Sequence, residues 1–401
     1  MKSNPGGEIA PEHVIGRDGF IENLWQVLEH QSVVLVSERR MGKSSVMKKM
    51  RAECTGRHVV FYSDVEDIPT PLEFVEHVFG TVRSHLGTMK RATSQTEKIL
   101  GKLAGGEIAG LKFPPAAAPQ WRELLQSAIG DLMMHCEHSV VFFWDELPLM
   151  LQKIKHNTDE NTAMNLLDAL RSLRQTHPKL RMVFTGSIGL HHVITSLREA
   201  GHTNDSTNDM FTVELDPLRD QDAQLLAAQL INGEELVCGD PMGTARAVAN
   251  AVDRIPFYIH HVIALIKSRG HVIDSGLAEE TVSQAMINAQ DPWHLCHYRE
   301  RMEEYYGQER VPVVLSLLDE LAASNEPMHL QLLVSRLGAS LKPERSALER
   351  DILSGNTEPV RRTLDALQRD HYIARRQDDG AYEFRFPLIK RWWRIHRSLP
   401  C

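Results

Sequence analysis

The 401 residues are 42% hydrophobic and 24% charged, with a net charge of −8; this is the make-up of an ordinary soluble globular chain, long enough for two or three domains with cores of their own. The acidic balance excludes a general polyanion binder of the histone or ribosomal kind, so any nucleic-acid contact must be local. No run approaches about 18 uninterrupted apolar residues, MKSNPGGEIAPEHV lacks the layout of a signal peptide, and the five cysteines show neither disulfide nor zinc-ribbon spacing; a cytoplasmic, reducing location without membrane contact is expected.

In chain order, Gly16 and Arg17 in VIGRDGFIENLWQVLE precede a predicted helix, either as a simple turn or as residues that pack over an adenine edge. Ser32 to Val36 (SVVLV) is a short, apolar, β-branched run of the kind a buried parallel strand needs. It leads into SERRMGKSS at Ser37 to Ser45, which matches the phosphate-loop pattern GxxxxGK[ST] except that Ser37 stands at the first glycine. Arg40, Met41, Gly42, Lys43, Ser44 and Ser45 form the expected nucleotide-binding stretch. Gly42 lets backbone N–H groups and the start of the next helix approach the phosphates. Lys43 would reach the β- and γ-phosphates, and the Ser44 hydroxyl would ligate Mg²⁺. Arg39 and Arg40 would touch phosphate, a neighbouring subunit or solvent alone.

His58 to Tyr62 (HVVFY) is the second predicted strand. Residues 88–119, rich in Gly, Ala and Pro, read as a flexible insertion, a partner-binding or lid element or else a solvated loop. Val140 to Trp144 (VVFFW) is the third strand, and it ends in Asp145 and Glu146. Adjacent carboxylates at the end of a buried strand are costly unless they meet a cation or move a proton. Asp145 is assigned to Mg²⁺, and Glu146 is the catalytic candidate that polarises the attacking water. Arg181 to Thr185 (RMVFT) is the fourth strand. Thr185 and Ser187 lie where the γ-phosphate would be sensed, although a plain strand-to-helix turn accounts for the same residues. Phe211 to Leu215 (FTVEL) is the fifth. Strands alternating with helical segments imply an α/β fold, a three-layer P-loop core with a parallel sheet, over residues 1–216.

From 217 to 309 the strand signals give way to helical periodicity, a predicted helical lid. Residues 310–401 hold predicted helices at Val311 to Ala323 and Leu330 to Leu337, a loop, a helix at Glu358 to Arg369 and a hairpin around Asp378, Asp379 and Gly380; this is a winged-helix order. From Thr357 to Cys401 there are ten Lys or Arg against six Asp or Glu, so Arg361, Arg362, Arg369, Arg375 and Arg376 would suit DNA phosphates; packing on the core or on a protein partner is the other reading. Lys390, Arg391, Trp392, Trp393 and Arg394 read as a nucleic-acid stacking patch or as a half-buried helix. His294, Cys296 and His297 have no obvious fourth ligand nearby, and with Trp293, Tyr298, Tyr305 and Tyr306 they read as helix packing.

Together VIGRDGFIENL, SERRMGKSS, VVFFWDEL, RMVFTGSIGL, VELDPLRDQDAQLLAAQL, DRIPFYIHHV and FRFPLIKRWWRI resemble the STAND and archaeal-ATPase-like branch of the AAA+ (ASCE) P-loop ATPases over nearly the whole chain. The resemblance implies strand order 5-1-4-3-2, a helical lid and a winged helix. It implies that Gly16 and Arg17 fill the nucleotide-base box, that Gly42, Lys43 and Ser44 form Walker A and Asp145 and Glu146 Walker B, and that Arg254 and Pro256 belong to a lid motif near the nucleotide. The chain departs from the pattern at Ser37 and in lacking an evident arginine-finger motif. ATP and Mg²⁺ are the implied cofactors, and a homo-oligomer and a protein effector the implied partners. The expectation is a slow, partner-stimulated ATPase that works as a molecular switch, in a defence or mobile-element setting. The alternative is a DNA-binding regulator or adaptor in which nucleotide is mainly structural. A nucleotide kinase fits less well, because no acceptor lid with clustered arginines is apparent.

Overall fold

The computed structural model describes residues 1–54, 56–88, 96, 99, 113, 115–186, 189–199, 205–270 and 272–399. They form two compact units, one of Ala10–Ser37 and Lys43–Leu215, the other of Met1–Ile9, Glu38–Gly42 and Asp216–Cys401. The phosphate-loop segment Glu38–Gly42 is therefore grouped with the C-terminal half of the chain.

The first unit is built on a five-stranded sheet. Its strands are β1 (Val33–Val36), β2 (His58–Asp64), β3 (Ser139–Asp145), β4 (Leu180–Thr185) and β5 (Phe211–Glu214). The order is β2-β3-β4-β1-β5 with every pairing parallel, which is the expected 5-1-4-3-2 read from the other edge. All five predicted runs form strands. β3 is apolar without alternation because both its faces are covered: Val140 to Trp144 are all buried. Register brings the strand ends level, with Asp64 opposite Asp145 and Leu35 opposite Thr185. The carboxyl edge of such a sheet is where ligands bind. Helices Asp18–His30, Lys43–Glu53, Pro71–Thr88, Trp121–His135, Leu147–Asn157, Glu160–Thr176 and Leu190–Glu199 alternate with the strands. The insertion predicted at 88–119 falls for the most part outside the described residues.

The second unit opens with helices Asp220–Gly233, Pro241–Ala251, Pro256–Arg269 and Ser275–Ile287. A short parallel pair, β6 (Val237–Cys238) and β7 (Val272–Ile273), interrupts what the sequence reads as wholly helical. Two residues per strand are too few to register as a period of two. Helices His297–Tyr305, Gly307–Ala323, Leu330–Leu337 and Glu358–Arg369 follow, then the hairpin of β8 (Ile373–Arg375) and β9 (Tyr382–Phe384) and a last helix, Pro387–His396. Met328 adds a third edge to the hairpin through two backbone hydrogen bonds with Tyr382, 2.9 and 2.8 Å. This is a winged-helix plan. The segment read as a loop after Leu337 contains a further helix, Ala347–Leu353, whose Ser346 cap accepts from the Glu349 N–H at 3.1 Å.

Of the two readings of the last helix, packing rather than stacking holds for its tryptophans. Trp392 and Trp393 are buried, and the Trp393 Nε1–H donates to Asp319 at 2.8 Å. Their ring faces are spent on the core and on His396, which stacks on Trp392 at 4.7 Å. Lys390 donates to the Ser324 carbonyl and Arg391 to that of Ala251, each at 2.6 Å.

Candidate functional site

Where β1 ends, Ser37 and Lys43 form the two ends of the phosphate loop. The Lys43 Nζ donates to the Ser37 carbonyl at 3.0 Å and to the Ser37 Oγ at 3.1 Å. The residue that replaces the first glycine thus supplies an oxygen that glycine lacks, and it receives the loop lysine. Gly42 has φ +92°, and a Cβ there would meet nothing within 4 Å. The left-handed backbone, rather than crowding within the protein, is what demands glycine at this position.

Asp145 at the end of β3 is buried. Its Oδ2 accepts from the Ser44 Oγ at 2.5 Å and from the Tyr62 Oη at 2.9 Å. The two residues assigned to Mg²⁺ therefore meet, although they lie on separate elements. Tyr62, on β2, is a site residue that the sequence reading treated only as strand. Burial, then the neighbouring Asp145 carboxylate, push its phenol well above the ordinary range, so it stays a hydrogen-bond donor.

Glu146 has left-handed backbone, φ 58° and ψ 28°, and stands at the N-cap of helix Leu147–Asn157. A non-glycine residue held there stores strain, which concentrates at functional sites. Gly186 follows Thr185 at the end of β4. A Cβ on it would lie 2.7 Å from the Pro148 Cδ and 3.3 Å from the Glu146 Oε2, so glycine is required by the close passage of β4 beside the catalytic candidate. The Thr185 Oγ1 is buried and has no hydrogen-bond partner among the described residues. A buried hydroxyl in that state is an exception that calls for an explanation. Ser187 lies outside the described residues. Gly16, at φ 70°, turns the chain into helix Asp18–His30, with buried Arg17 at the N-cap; Ser45 continues the first turn of helix Lys43–Glu53.

Within the second unit, the segment Glu38–Gly42 is held by its side chains. The buried Glu38 carboxylate receives both arms of the Arg301 guanidinium, each at 3.3 Å. Arg39 donates to His297 at 3.0 Å; burial and nearby arginines lower that imidazole to about 3, leaving it neutral and able to accept. Arg40, at φ 73°, places its guanidinium 4.0 Å over the Phe257 ring, and Met41 is buried. Arg39 and Arg40 thus each have a partner within the chain. Phe257 follows Pro256, which starts helix Pro256–Arg269. Arg254, at φ 60°, pairs with Asp220 at 2.5 Å.

Four of the five arginines read as suited to DNA phosphates have local partners. Glu358 pairs with Arg362 at 3.0 Å and with Arg361 at 3.8 Å. In the wing, Arg376 pairs with Asp378 at 2.5 Å, and Arg375 lies 5.6 Å from the Tyr382 ring. Among the described residues no helix is long and apolar enough to cross a membrane.

No family model and no curated protein matches the sequence. Solved structures do. The chain is similar to the Walker-type ATPase PABY2304 of Pyrococcus abyssi, with a TM-score of 0.63 at 15% identity over 98% of this chain and 100% of that one. It is also similar to the ORC2 protein of Aeropyrum pernix in its ADPNP-ADP complexes, with a TM-score of 0.52 at 12% identity over 95% of each chain. Identities this low establish architecture. The chain has the P-loop ATPase fold of AAA+ proteins, with a helical and winged-helix region after the sheet.

Proposed function

We propose that this chain binds ATP with Mg²⁺ and hydrolyses it as a molecular switch of the AAA+ kind. The observation that carries the reading is the contact of the Ser44 hydroxyl with the buried Asp145 carboxylate at 2.5 Å, beside a lysine parked on Ser37 and the unpartnered Thr185 hydroxyl. The donor set fits Mg²⁺: one carboxylate and one hydroxyl, the hard oxygen ligands that this ion takes beside water and phosphate oxygens. When bound, Mg²⁺ supplies positive charge to the β- and γ-phosphate oxygens. Ser44 and Asp145 would hold the ion, Lys43 would leave Ser37 for the phosphates, and Glu146 would orient the attacking water. Thr185 would report the γ-phosphate through its hydroxyl, Gly16 and Arg17 would fill the base box, and Arg254 and Pro256 would belong to the lid motif. Self-assembly is part of the proposal, because hydrolysis in this class commonly needs a neighbour's arginine, as is a protein effector. A STAND-like role in defence or mobile-element systems is the setting we favour.

The test is direct. Equilibrium titration with ATP and Mg²⁺ should give saturable binding that Lys43→Ala abolishes, while Glu146→Gln binds and does not turn over. A second reading, a DNA-binding regulator with structural nucleotide, draws on the exposed Arg361 and Arg362 of helix Glu358–Arg369. It predicts bound nucleotide with no turnover in the unaltered chain, and duplex affinity that falls in Arg361→Ala/Arg362→Ala.

A further inference from the structure

Glu38 is an unusual residue to find inside a phosphate loop. Its carboxylate is buried, and the loop it belongs to must fit a polyanion. Its charge is met by Arg301, from helix His297–Tyr305, in a two-pronged pair at 3.3 Å on each arm. Arg301 is itself enclosed: the Tyr298 and Tyr372 rings lie 5.0 Å from its guanidinium on either account, and its Nε–H donates to the Tyr372 Oη at 3.0 Å. The Tyr372 hydroxyl in turn donates to the Tyr298 carbonyl at 2.8 Å.

Tyr372 sits at the turn between helix Glu358–Arg369 and β8. Its N–H donates to the Leu367 carbonyl and its carbonyl accepts from the Arg385 N–H, both at 3.0 Å. The side chain that touches Arg301 thus belongs to a residue bracketed by the helix and the wing. Next to it, the Tyr306 hydroxyl donates to Asp370. A run of bonds leads from the phosphate loop to the winged-helix segment in three residues.

A buried ion pair adds little to stability over apolar packing, but losing one partner leaves an uncompensated charge at high cost. Any shift of Glu38 as the loop backbone closes on phosphate must therefore be followed by Arg301, and Arg301 cannot move without releasing or carrying Tyr372. Arg39 on His297 and Arg40 on Phe257 tie the same short segment to the same unit. We propose that Arg301 is a positioning residue for the phosphate loop, and that the chain Glu38–Arg301–Tyr372 carries nucleotide state to the winged-helix segment. This deepens the switch reading above and rests on it.

The test uses the full chain, with a non-hydrolysable ATP analogue and Mg²⁺, and reads analogue affinity beside amide hydrogen exchange over 367–385. In the unaltered chain, nucleotide should change exchange at peptides containing Tyr372. Arg301→Met should weaken analogue binding by about tenfold or more and lose that change. Tyr372→Phe removes one hydroxyl from the packed core, so it should bind the analogue within about threefold of the unaltered chain yet lose most of the exchange response. If Arg301→Met does not fold, Tyr372→Phe alone decides. An exchange response that survives in Tyr372→Phe overturns the proposal. So does an unaltered chain that binds nucleotide with no change near Tyr372. If the unaltered chain binds no nucleotide at all, the failure lies earlier, in the ATP-switch reading, and this proposal falls with it.

Discussion

Removal of the Tyr62 hydroxyl is a small perturbation with a defined target. Tyr62→Phe keeps the ring, including the Lys48 ammonium that lies 5.4 Å from its centre, and deletes one of the two donors described on the Asp145 Oδ2; Ser44 remains at 2.5 Å. A hydrogen bond to a charged group contributes about 1.5–3 kcal/mol, and the half-buried phenol belongs near the lower end. Two effects then oppose each other. A carboxylate with one donor fewer is a more attractive anion for Mg²⁺, but it is less well oriented. Loss of an outer partner of a metal ligand commonly costs about 10–100-fold in metal affinity, so orientation should win and the Mg²⁺ requirement should rise by about tenfold. The assay is ATP turnover against Mg²⁺ at fixed ATP, with Mn²⁺ binding measured by electron paramagnetic resonance. An unchanged Mg²⁺ midpoint refutes the reasoning. An equal loss of ATP affinity in EDTA does too, because it would mean general damage rather than a misplaced carboxylate.

Gly42→Ala places a side chain at φ +92°, a strain of about 1–3 kcal/mol in the folded chain; the melting temperature should fall by a few degrees, and nucleotide affinity, read by equilibrium titration, should fall as the loop relaxes away from its phosphate-binding backbone. Gly186→Ala pushes a methyl to 2.7 Å from Pro148 and 3.3 Å from the Glu146 Oε2. It should lower kcat while leaving the Kd for ATP within about twofold, and a change confined to Kd would contradict the placement of Glu146. Asp253 gives a pH test. Burial lifts its carboxyl to about 6, against the Leu388 N–H, Arg391 and Arg254. The folded form therefore holds the proton more tightly than an unfolded Asp near about 3.9. Stability from this group is present below about pH 4 and is lost as pH rises through about 6. Asp253→Asn should be more stable at neutral pH, by up to roughly 3 kcal/mol, and unchanged below about pH 4; thermal unfolding across that range checks it, and an equal gain at every pH would sink the assignment.

Much of the fold was legible because its signals are local. SVVLV, HVVFY, VVFFW and RMVFT are short, β-branched and aromatic runs of the kind a parallel sheet uses, FTVEL is a partly exposed edge strand, and each contains a strand. The Ser44–Asp145 contact was legible too, since the sequence assigns both residues to one expected cation. Helix Ala347–Leu353 was missed although Ser346 and Glu349 stand at capping-box spacing; its seven residues are too short a run to show a helical period. Tyr62, Glu38 and Arg301 were not legible for a different reason. Nothing near Tyr62 in sequence marks it as a partner of Asp145, because strand register sets that contact. Arg301 is 263 residues from Glu38, and no period or spacing encodes a pairing across that distance. Gly186 carried a signal, its place after a strand end, but its cause is the passage beside Glu146.

The central claim is that Lys43, Ser44 and Asp145 bind Mg·ATP and that Glu146 spends it. A single side-by-side measurement of ATP binding and steady-state phosphate release in the unaltered chain, Lys43→Ala and Glu146→Gln tests it most directly. The account predicts binding and slow release in the first, neither in the second, and binding without release in the third. Release that persists in Glu146→Gln, or ATP binding that persists in Lys43→Ala, would contradict it.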